Sequence, residues 1–436
     1  MEELEELLVR FNPWWRGKPV EGIRGLKPRF LYHRLLEEMG SRQIVAITGP
    51  RRTGKTTLMR HLIQHLLNGG RKPIEVMYFS FDEVLARDPR IIERVLLTYE
   101  RSFLMRELRD VFIFLDEIQY LENWAAILKR YYDLDVGIKF VVSGSQSLAV
   151  RKGGESLAGR IYEFVLPPLS FREFLYLRGK EVERVPLEFE GLREAERGLL
   201  LRKGEIQMEL SRYLRQGSFP ELMGEENPES ARRYVESILK KVIFEDIPKV
   251  FPIDNPPLLE GILRLVARRP GMRLEYRSMA SSLGVSRQTV SKYVSTLEEA
   301  FLLRLLSNYR RSGLATARKA KRAYLTAHAY VLPFADPEEL PSQRGPLIEN
   351  VVACHLEARF FWRDGGEVDF VAEGLPVEVK AGRGEDLRGM VRFMREFGAE
   401  RGVVVTEDEL ERRIIEEGGK RLEVWLVPLW LFLLSF

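Results

Sequence analysis

The sequence predicts an α/β protein of several domains, built around a parallel sheet with helices on both faces. Up to about residue 170, short continuous apolar runs alternate with amphipathic helical stretches. Apolar strands that alternate with helices are typical of a parallel sheet that is covered on both sides. A mostly helical stretch, a basic segment and a mixed region follow, and 436 residues are too many for one compact core.

Five apolar runs are the predicted strands of this sheet, and a helical pattern follows each of the first three. The runs are residues 43–48, 74–81, 111–116, 139–145 and 161–169. The short acidic N-terminal segment has the spacing of an amphipathic helix and leads into a Pro/Trp-rich arm, because proline cannot continue a helix.

Composition indicates an ordinary cytoplasmic protein with no membrane partner. Hydrophobic residues make up 45% and charged residues 30% of the chain. The single cysteine, Cys354, fits a reducing compartment, and the acidic N-terminus is unlike a signal peptide. Val424–Phe436 is apolar but shorter than the roughly 20 residues of a membrane span, and Pro428 interrupts it. We expect a buried strand and helix there.

The segment "GPRRTGKTT" carries the pattern of a phosphate-binding loop between the first strand and its helix. Glycines let the loop curl so that backbone N–H groups face phosphates, and the helix N-terminus adds positive charge. Lys55 is expected to reach the β- and γ-phosphates of ATP, and the Thr56 hydroxyl to bind Mg²⁺. The predicted nucleotide ligands are Gly49, Pro50, Arg51, Arg52, Thr53, Gly54, Lys55, Thr56, Thr57 and Ser145.

The strand "VFIFLDEIQ" supplies the predicted catalytic acids. Asp116 at its carboxyl edge is expected to join the Mg²⁺ shell, and Glu117 to activate the attacking water. After the next strand, Ser143, Ser145 and Gln146 could face the γ-phosphate or could be ordinary turn residues.

Arg160, just before the fifth strand, could stabilise charge in phosphoryl transfer, in its own chain or across a subunit interface. The alternative is a structural salt bridge.

These motifs, with "SGSQS", "AGRIYEF…PLSFREF" and "GSFPEL", resemble the archaeal and bacterial AAA-type P-loop ATPases that carry a DNA-binding-like and nuclease-like C-terminal half. The resemblance implies an arginine finger or sensor at Arg160 and a helical lid at 219–250. The implied domains are an N-terminal helix and arm (1–40), a P-loop ATPase core (41–170), a helical lid (171–268), a winged helix (269–334) and a C-terminal restriction-endonuclease-like domain (335–436).

The segment Pro270–Leu325 holds eleven Lys or Arg against three acids, a net charge of +8, which is typical of a surface that faces nucleic acid. It reads as helix, "LGVS" turn and helix, with Ser286 as N-cap. The expected DNA contacts of the second helix are Arg287, Gln288 and Lys292. The following basic hairpin, a wing, would contact phosphates through Arg310, Arg311, Arg318, Lys319, Lys321 and Arg322. The alternative is a protein-docking unit.

The C-terminal stretch "EVDFVAEGLPVEVK" predicts a hairpin with acids at one end. Glu378 and Lys380 share a face because side chains alternate along a strand, and Asp369 lies on the partner strand. With Glu349 from the preceding helix, the acids could bind Mg²⁺ while Lys380 orients a water. The arrangement resembles a restriction-endonuclease-like nuclease. The alternatives are an inactive fold with a salt-bridge network and an accidental match.

The predicted function is therefore a Mg²⁺-dependent ATPase, associated with DNA, homo-oligomeric and with a possible nuclease domain. The competing hypothesis is an ATP-dependent switch that docks a protein partner through a catalytically silent C-terminal fold.

Overall fold

The structure is a computed structural model that describes residues 2–81, 88–121, 123–145, 157–311, 321–335, 344–380, 386–417 and 419–436. Gln146, Arg318 and Lys319, for which the sequence suggests roles, lie outside these ranges. The chain forms two compact units. The first comprises Met1–Pro167, Lys249–Pro252 and Glu299–Phe301, and the second comprises Pro168–Pro248, Ile253–Glu298 and Leu302–Phe436.

The first unit contains a five-stranded sheet in which every pairing is parallel, with the order β2-β3-β4-β1-β5. Its strands are β1 Ile44–Thr48, β2 Val76–Ser80, β3 Phe112–Asp116, β4 Lys139–Gly144 and β5 Ile161–Val165. All five predicted strands are confirmed, and the chain is α/β as predicted. The apolar runs predicted them well because residues of the central strands are buried on both faces of the sheet.

Helices cover both faces of this sheet. They are α1 Glu2–Phe11, α2 Leu31–Glu38, α3 Lys55–Asn68, α4 Ile91–Thr98 and α5 Trp124–Leu134. Ile44 and Ala46 of β1 pack in one core with α1, α4 and α5, whereas Val45 and Ile47 pack in a second core with α2 and α3. The arm after α1 is fixed to β2, since the Asn12 side chain hydrogen-bonds the Tyr78 N–H and C=O.

After β5 comes the mostly helical stretch that the sequence predicts. In chain order the following helices are α6 Phe171–Leu177, α7 Phe189–Gly198, α8 Lys203–Gln216, α9 Pro228–Lys241, α10 Ile247–Val250, α11 Pro256–Arg268, α12 Tyr276–Leu283, α13 Arg287–Glu299, α14 Arg344–His355, α15 Arg388–Phe397 and α16 Leu429–Leu433. Helices α12 and α13 flank a turn in which Gly284 takes the left-handed conformation, φ +66°. The predicted helix, turn and helix are present.

A nine-stranded mixed sheet forms the rest of the second unit, with the order β13-β14-β12-β11-β10-β9-β7-β8-β6. Its strands are β6 Met272–Arg273, β7 Leu303–Asn308, β8 Arg322–Leu325, β9 Phe360–Arg363, β10 Glu367–Ala372, β11 Leu375–Val379, β12 Arg401–Thr406, β13 Glu411–Glu417 and β14 Lys420–Pro428. Parallel pairing of β7 with β9 joins the hairpin of the basic segment to the C-terminal strands. The sheet therefore spans the predicted boundary at 334/335, and the five-domain division stays a prediction.

The apolar C-terminus forms a buried strand and a short helix, as expected. All residues of α16 are buried, and they pack in one core with the buried strands β11 and β12. Among the described helices, none is both long and apolar enough to cross a membrane.

Candidate functional site

The phosphate loop lies where the sequence predicts it, between the end of β1 at Thr48 and the start of α3 at Lys55. Gly49 has a φ of +137°, and a Cβ there would lie 2.3 Å from the Leu166 carbonyl oxygen. Gly54 also has positive φ, +97°. Both positions need glycine, for close approach at the first and for backbone conformation at the second. The strand, loop and helix of a phosphate site are thus in place.

The Lys55 ammonium is buried inside the curl of the loop. Its Nζ donates to the carbonyl oxygens of Gly49 at 3.0 Å and Pro50 at 2.9 Å. The Thr53 hydroxyl also donates to the Pro50 carbonyl, at 2.9 Å. Arg29 supports the loop from outside by donating to the Thr53 and Pro167 carbonyls, and the sequence analysis missed it. Arg29 lies 20 residues before Gly49, and no motif in the surrounding sequence predicts its role.

Asp116 at the end of β3 is the centre of the predicted metal site. Its Oδ2 accepts from the Thr56 hydroxyl at 2.6 Å and from the Tyr78 hydroxyl at 2.8 Å. Burial, and next the Asp116 charge, raise the pKa of Tyr78 well above its usual value, so this phenol remains a donor. The structure therefore brings together the two predicted Mg²⁺ ligands, Thr56 and Asp116. It also shows that Tyr78 donates a hydrogen bond to Asp116.

Ser143 contacts Asp116. Its hydroxyl donates to Asp116 Oδ1, which also accepts from the Glu117 N–H at 3.1 Å. Ser143 thus supports the carboxylate at the end of the neighbouring strand β3, and the expectation that it faces the γ-phosphate stays a prediction.

Glu117 adopts the left-handed backbone conformation, with φ +57°, which is unusual for a residue with a side chain. Its carboxylate accepts from Gln119 Nε2 at 2.6 Å, and the same amide lies 3.1 Å from the Ser145 hydroxyl. Burial raises the pKa of Glu117; Lys55 opposes this effect and Asp116 adds to it. The predicted base is thus half-buried beside the phosphate loop, with Gln119 as a partner that the sequence analysis did not identify.

The other loop residues have different degrees of exposure. Arg51 is half-buried and donates to the Tyr120 hydroxyl at 3.0 Å, whereas Arg52 is exposed with φ +67°. Thr57 follows in the first turn of α3 and is half-buried. Their predicted roles as nucleotide ligands stay predictions.

Arg160 lies at the amino ends of β1 and β5, whereas the phosphate loop follows the carboxyl end of β1. Its carbonyl accepts from the Ile44 N–H at the start of β1, whereas the loop follows the end of β1, five residues or about 16 Å away. Its side chain pairs with Asp133 at 2.9 Å. The position does not fit contact with a nucleotide of the same chain. Contact with a neighbouring chain stays a prediction.

The C-terminal acids are carried by the predicted elements. Glu349 lies on α14, and Asp369 and Glu378 lie on β10 and β11, which pair as an antiparallel hairpin. Asp369 Oδ2 accepts from the Val379 N–H at 3.0 Å, and Lys380 Nζ lies 3.0 Å from Glu378 Oε2. The predicted hairpin and the Glu378–Lys380 pair are therefore present.

Arg322 of β8 contacts two of these acids, Glu349 and Asp369, which corrects its predicted role as a phosphate contact in a wing. Its guanidinium lies 3.7 Å from Glu349 Oε1 and 3.5 Å from Asp369 Oδ1, and it also pairs with Glu367. The side chain is 9% exposed and stacks 4.9 Å from the Phe361 ring centre. Parallel pairing of β7 with β9 brings the β7–β8 hairpin, and with it this arginine, to the acids.

The acid cluster does not fit a metal ion in this arrangement. Within the described ranges, no three His, Cys, Asp or Glu side chains are grouped to hold one. Burial raises the pKa of Glu349, and it raises the pKa of Glu378 to about 7 although Lys380 opposes this. The Tyr324 hydroxyl donates to Glu349 and occupies the oxygen that faces Arg322. In this arrangement Arg322 supplies the counter-charge of Glu349 and Asp369, and Lys380 supplies that of Glu378. Metal binding by the three acids stays a prediction.

The predicted DNA-contacting residues fall into two groups. Arg287, Gln288 and Lys292 are exposed on α13, whose opposite face is buried, and the Ser286 hydroxyl caps this helix by accepting from the Thr289 N–H at 3.0 Å. Arg310 and Arg311 instead contact the C-terminal elements. Arg310 pairs with Asp364 and donates to the Arg363 carbonyl at 2.9 Å, and Arg311 donates to the Glu396 carbonyl.

Comparison with protein families agrees with the geometry of the phosphate site. Residues 41–175 match the family described as AAA domain. This segment, which contains the phosphate loop, is therefore similar to an AAA domain. Residues 207–329 match a second family, described as a domain of unknown function (DUF8612).

Relatives similar along most of the chain occur in archaea and bacteria. The uncharacterized protein MJ1637 of Methanocaldococcus jannaschii is 26% identical over 415 residues, which cover 88% of this chain and 86% of that one. MJ1544 of the same organism is 20% identical, over 90% of this chain and 89% of its own. An uncharacterized protein of Haemophilus influenzae is 23% identical, over 76% and 79% of the two chains.

Solved structures show only distant likeness. The Aeropyrum pernix ORC1 protein in complex with DNA has a TM-score of 0.30 at 16% identity, with 74% of this chain and 94% of that one covered. The Saccharomyces cerevisiae Hsp104:casein complex has a TM-score of 0.32 at 15% identity, with 67% and 52% covered.

Proposed function

We propose that the chain hydrolyses ATP in a Mg²⁺-dependent reaction. The observation that carries this proposal is the 2.6 Å hydrogen bond from the Thr56 hydroxyl to Asp116 Oδ2, which joins the helix after the phosphate loop to the strand that bears the acids. A hydroxyl and a carboxylate at this position are oxygen donors of the kind that Mg²⁺ prefers.

Thr56 and Asp116 would hold the metal. The ion would neutralise negative charge on the phosphates of the nucleotide. The Tyr78 and Ser143 hydroxyls orient Asp116, and the loop N–H groups and Lys55 bind phosphate oxygens. To reach a phosphate, Lys55 exchanges its contacts with the Gly49 and Pro50 carbonyls for phosphate oxygens.

Glu117 accepts the proton of the attacking water. Its burial raises its pKa toward the range in which a carboxylate is an effective base near neutral pH. Gln119 fixes one carboxylate oxygen and also contacts Ser145, so the base is oriented from the next strand. This pairing would let the end of β4 influence the base when a γ-phosphate is present.

Measurement of nucleotide binding and turnover tests this proposal. ATP turnover in Mg²⁺ should disappear in EDTA, and Lys55→Ala should abolish it together with binding of a fluorescent ATP analogue. Lys72→Ala is the matched control, because it makes the same change at a 78% exposed side chain outside the loop. Turnover by Lys55→Ala at the wild-type rate would overturn the proposal.

We also propose that α13 contacts DNA. The support is an exposed face with Arg287, Gln288 and Lys292 opposite a buried face. Charge reversal of Arg287 or Lys292 should weaken binding to duplex DNA and reduce its salt dependence, with Arg233→Glu on α9 as the control. Absence of DNA binding at about 50 mM salt, where contacts with the DNA phosphates are strong, would contradict the proposal.

The position of Arg322 favours a second function for the C-terminal half, a docking scaffold rather than a nuclease. A guanidinium held by three carboxylates supplies the charge that a metal would otherwise bring. We expect no cleavage of linear or branched DNA in Mg²⁺ or Mn²⁺. DNA cleavage that is abolished by Asp369→Asn would refute the scaffold hypothesis and support the nuclease hypothesis.

A further inference from the structure

The terminal strand of the nine-stranded sheet, β13, has one free edge among the described elements. It pairs antiparallel with β14 along all seven of its residues, from Glu411 to Glu417, and the sheet order ends there. The outer edge of such a strand presents backbone N–H and C=O groups, over about 23 Å here, that can pair with another strand.

One face of β13, "ERRIIEE", is complementary to itself when two copies run antiparallel about Ile414. In that register Arg412 of each copy lies opposite Glu416 of the other and the two Ile414 side chains meet, whereas on the other face Glu411 lies opposite Glu417 at each end of the pairing. Opposite charges and apolar pairs directly across strands stabilise a sheet, whereas like charges destabilise it.

The residues that would meet are exposed. Arg412, Ile414 and Glu416 share one face because side chains alternate along a strand, and each is exposed; Ile414 is 47% exposed, which is unusual for an isoleucine. A two-fold axis perpendicular to the sheet keeps this face on the same side in both copies. Pairing therefore covers Ile414 and places an Arg412–Glu416 pair on each side of it.

On the face that carries Ile414, the charge pattern favours antiparallel pairing with a second copy of this chain about Ile414. Parallel pairing in register would place Arg412 against Arg412 and Glu416 against Glu416. An antiparallel shift by two residues, about Arg413, would bring the two Arg413 side chains together. We propose that the chain forms a two-fold symmetric homodimer through antiparallel pairing of β13, independent of the nucleotide site.

The expected dimer is weak. One strand pair is at the small end of protein interfaces, so we expect dissociation in the range of about 1–100 μM. Sedimentation of the nucleotide-free full chain from about 1 to 200 μM measures this directly. Sedimentation as a monomer at all these concentrations would overturn the proposal.

Charge reversal identifies the surface. Glu416→Arg places Arg against Arg412, and Arg412→Glu places Glu against Glu416, so each variant should be monomeric. A mixture of the two restores both opposite-charge pairs and should form a heterodimer, and the double variant should dimerise again. Single variants that dimerise like the wild type, or a mixture that stays monomeric, would refute β13 pairing.

Two controls separate dimer loss from misfolding. Arg412 also contacts Glu190 at 3.8 Å and the Phe189 ring within its own chain, so Arg412→Glu needs a thermal unfolding curve beside it. Arg233→Glu, on a 75% exposed side chain of α9, tests whether any surface charge reversal changes sedimentation. A monomeric Arg233→Glu would show that the effect is not specific to β13 and would overturn the assignment.

Discussion

Replacement of Arg322 by methionine removes the charge at the centre of the C-terminal acid cluster. The change keeps most of the apolar stem against Phe361 but leaves Glu349, Glu367 and Asp369 without this counter-charge. Removal of one partner of a buried ion pair costs about 3–5 kcal/mol. We expect Arg322→Met to lower the free energy of unfolding by about 3 kcal/mol at pH 8. This is the lower end of the range, because Glu367 is 40% exposed and keeps its pairing with Arg363.

This loss should depend on pH. The pKa of Glu349 is already raised, chiefly by burial and next by Asp369, and loss of Arg322 raises it further. The folded state then binds more protons than the unfolded state above about pH 4.5, so its stability falls as pH rises. The defect of Arg322→Met should therefore be smaller at pH 5.5 than at pH 8.

Urea denaturation followed by tryptophan fluorescence measures both effects. Arg363→Met is the control, because Arg363 is 50% exposed and pairs with Glu367 at 3.5 Å, a surface pair worth about 1 kcal/mol or less. If Arg322→Met unfolds within about 1 kcal/mol of the wild type at pH 8, or with a defect that does not shrink at pH 5.5, Arg322 is not the counter-charge of this cluster.

Two further outcomes are expected. Tyr78→Phe removes one of two hydroxyl donors to Asp116 Oδ2, so the Mg²⁺ concentration for half-maximal ATP turnover should rise about 10-fold; an unchanged Mg²⁺ titration would contradict this. Burial lowers the pKa of both His328 and His355 to about 4. Below pH 6.5 the unfolded state therefore binds protons that the folded state does not. Each histidine then lowers the free energy of unfolding by at most about 3 kcal/mol as the pH falls toward 4. The free energy of unfolding in urea should fall over this range, and His355→Gln should reduce the slope by about half.

Local signals explain why the first unit could be predicted well. The strands β1, β2 and β3 of its sheet are almost entirely apolar runs, and the phosphate loop, Asp116 and Glu117 occupy fixed places at the ends of β1 and β3. Helices α12 and α13 were predictable for the same reason, since Val290, Tyr293, Val294 and Leu297 recur with helical spacing and are all buried.

Long-range pairing explains what the sequence could not predict. Arg322 appears as one more cation in a basic segment, and only the pairing of β7 with β9 shows that it faces acids from α14 and β10. Tyr78 and Arg29 support the nucleotide site from other elements, with no motif around either. The sequence predicted that Arg160 precedes β5. It did not predict that this position lies at the end of the strands away from the phosphate loop.

The most direct test of the central claim is single-turnover hydrolysis of ATP in Mg²⁺ by Glu117→Gln. The substitution keeps the shape of the side chain and removes the base, so ATP should bind as in the wild type while the rate of hydrolysis falls about 100-fold or more. Hydrolysis at the wild-type rate would contradict the account, because Glu117 would then not be the base that activates water.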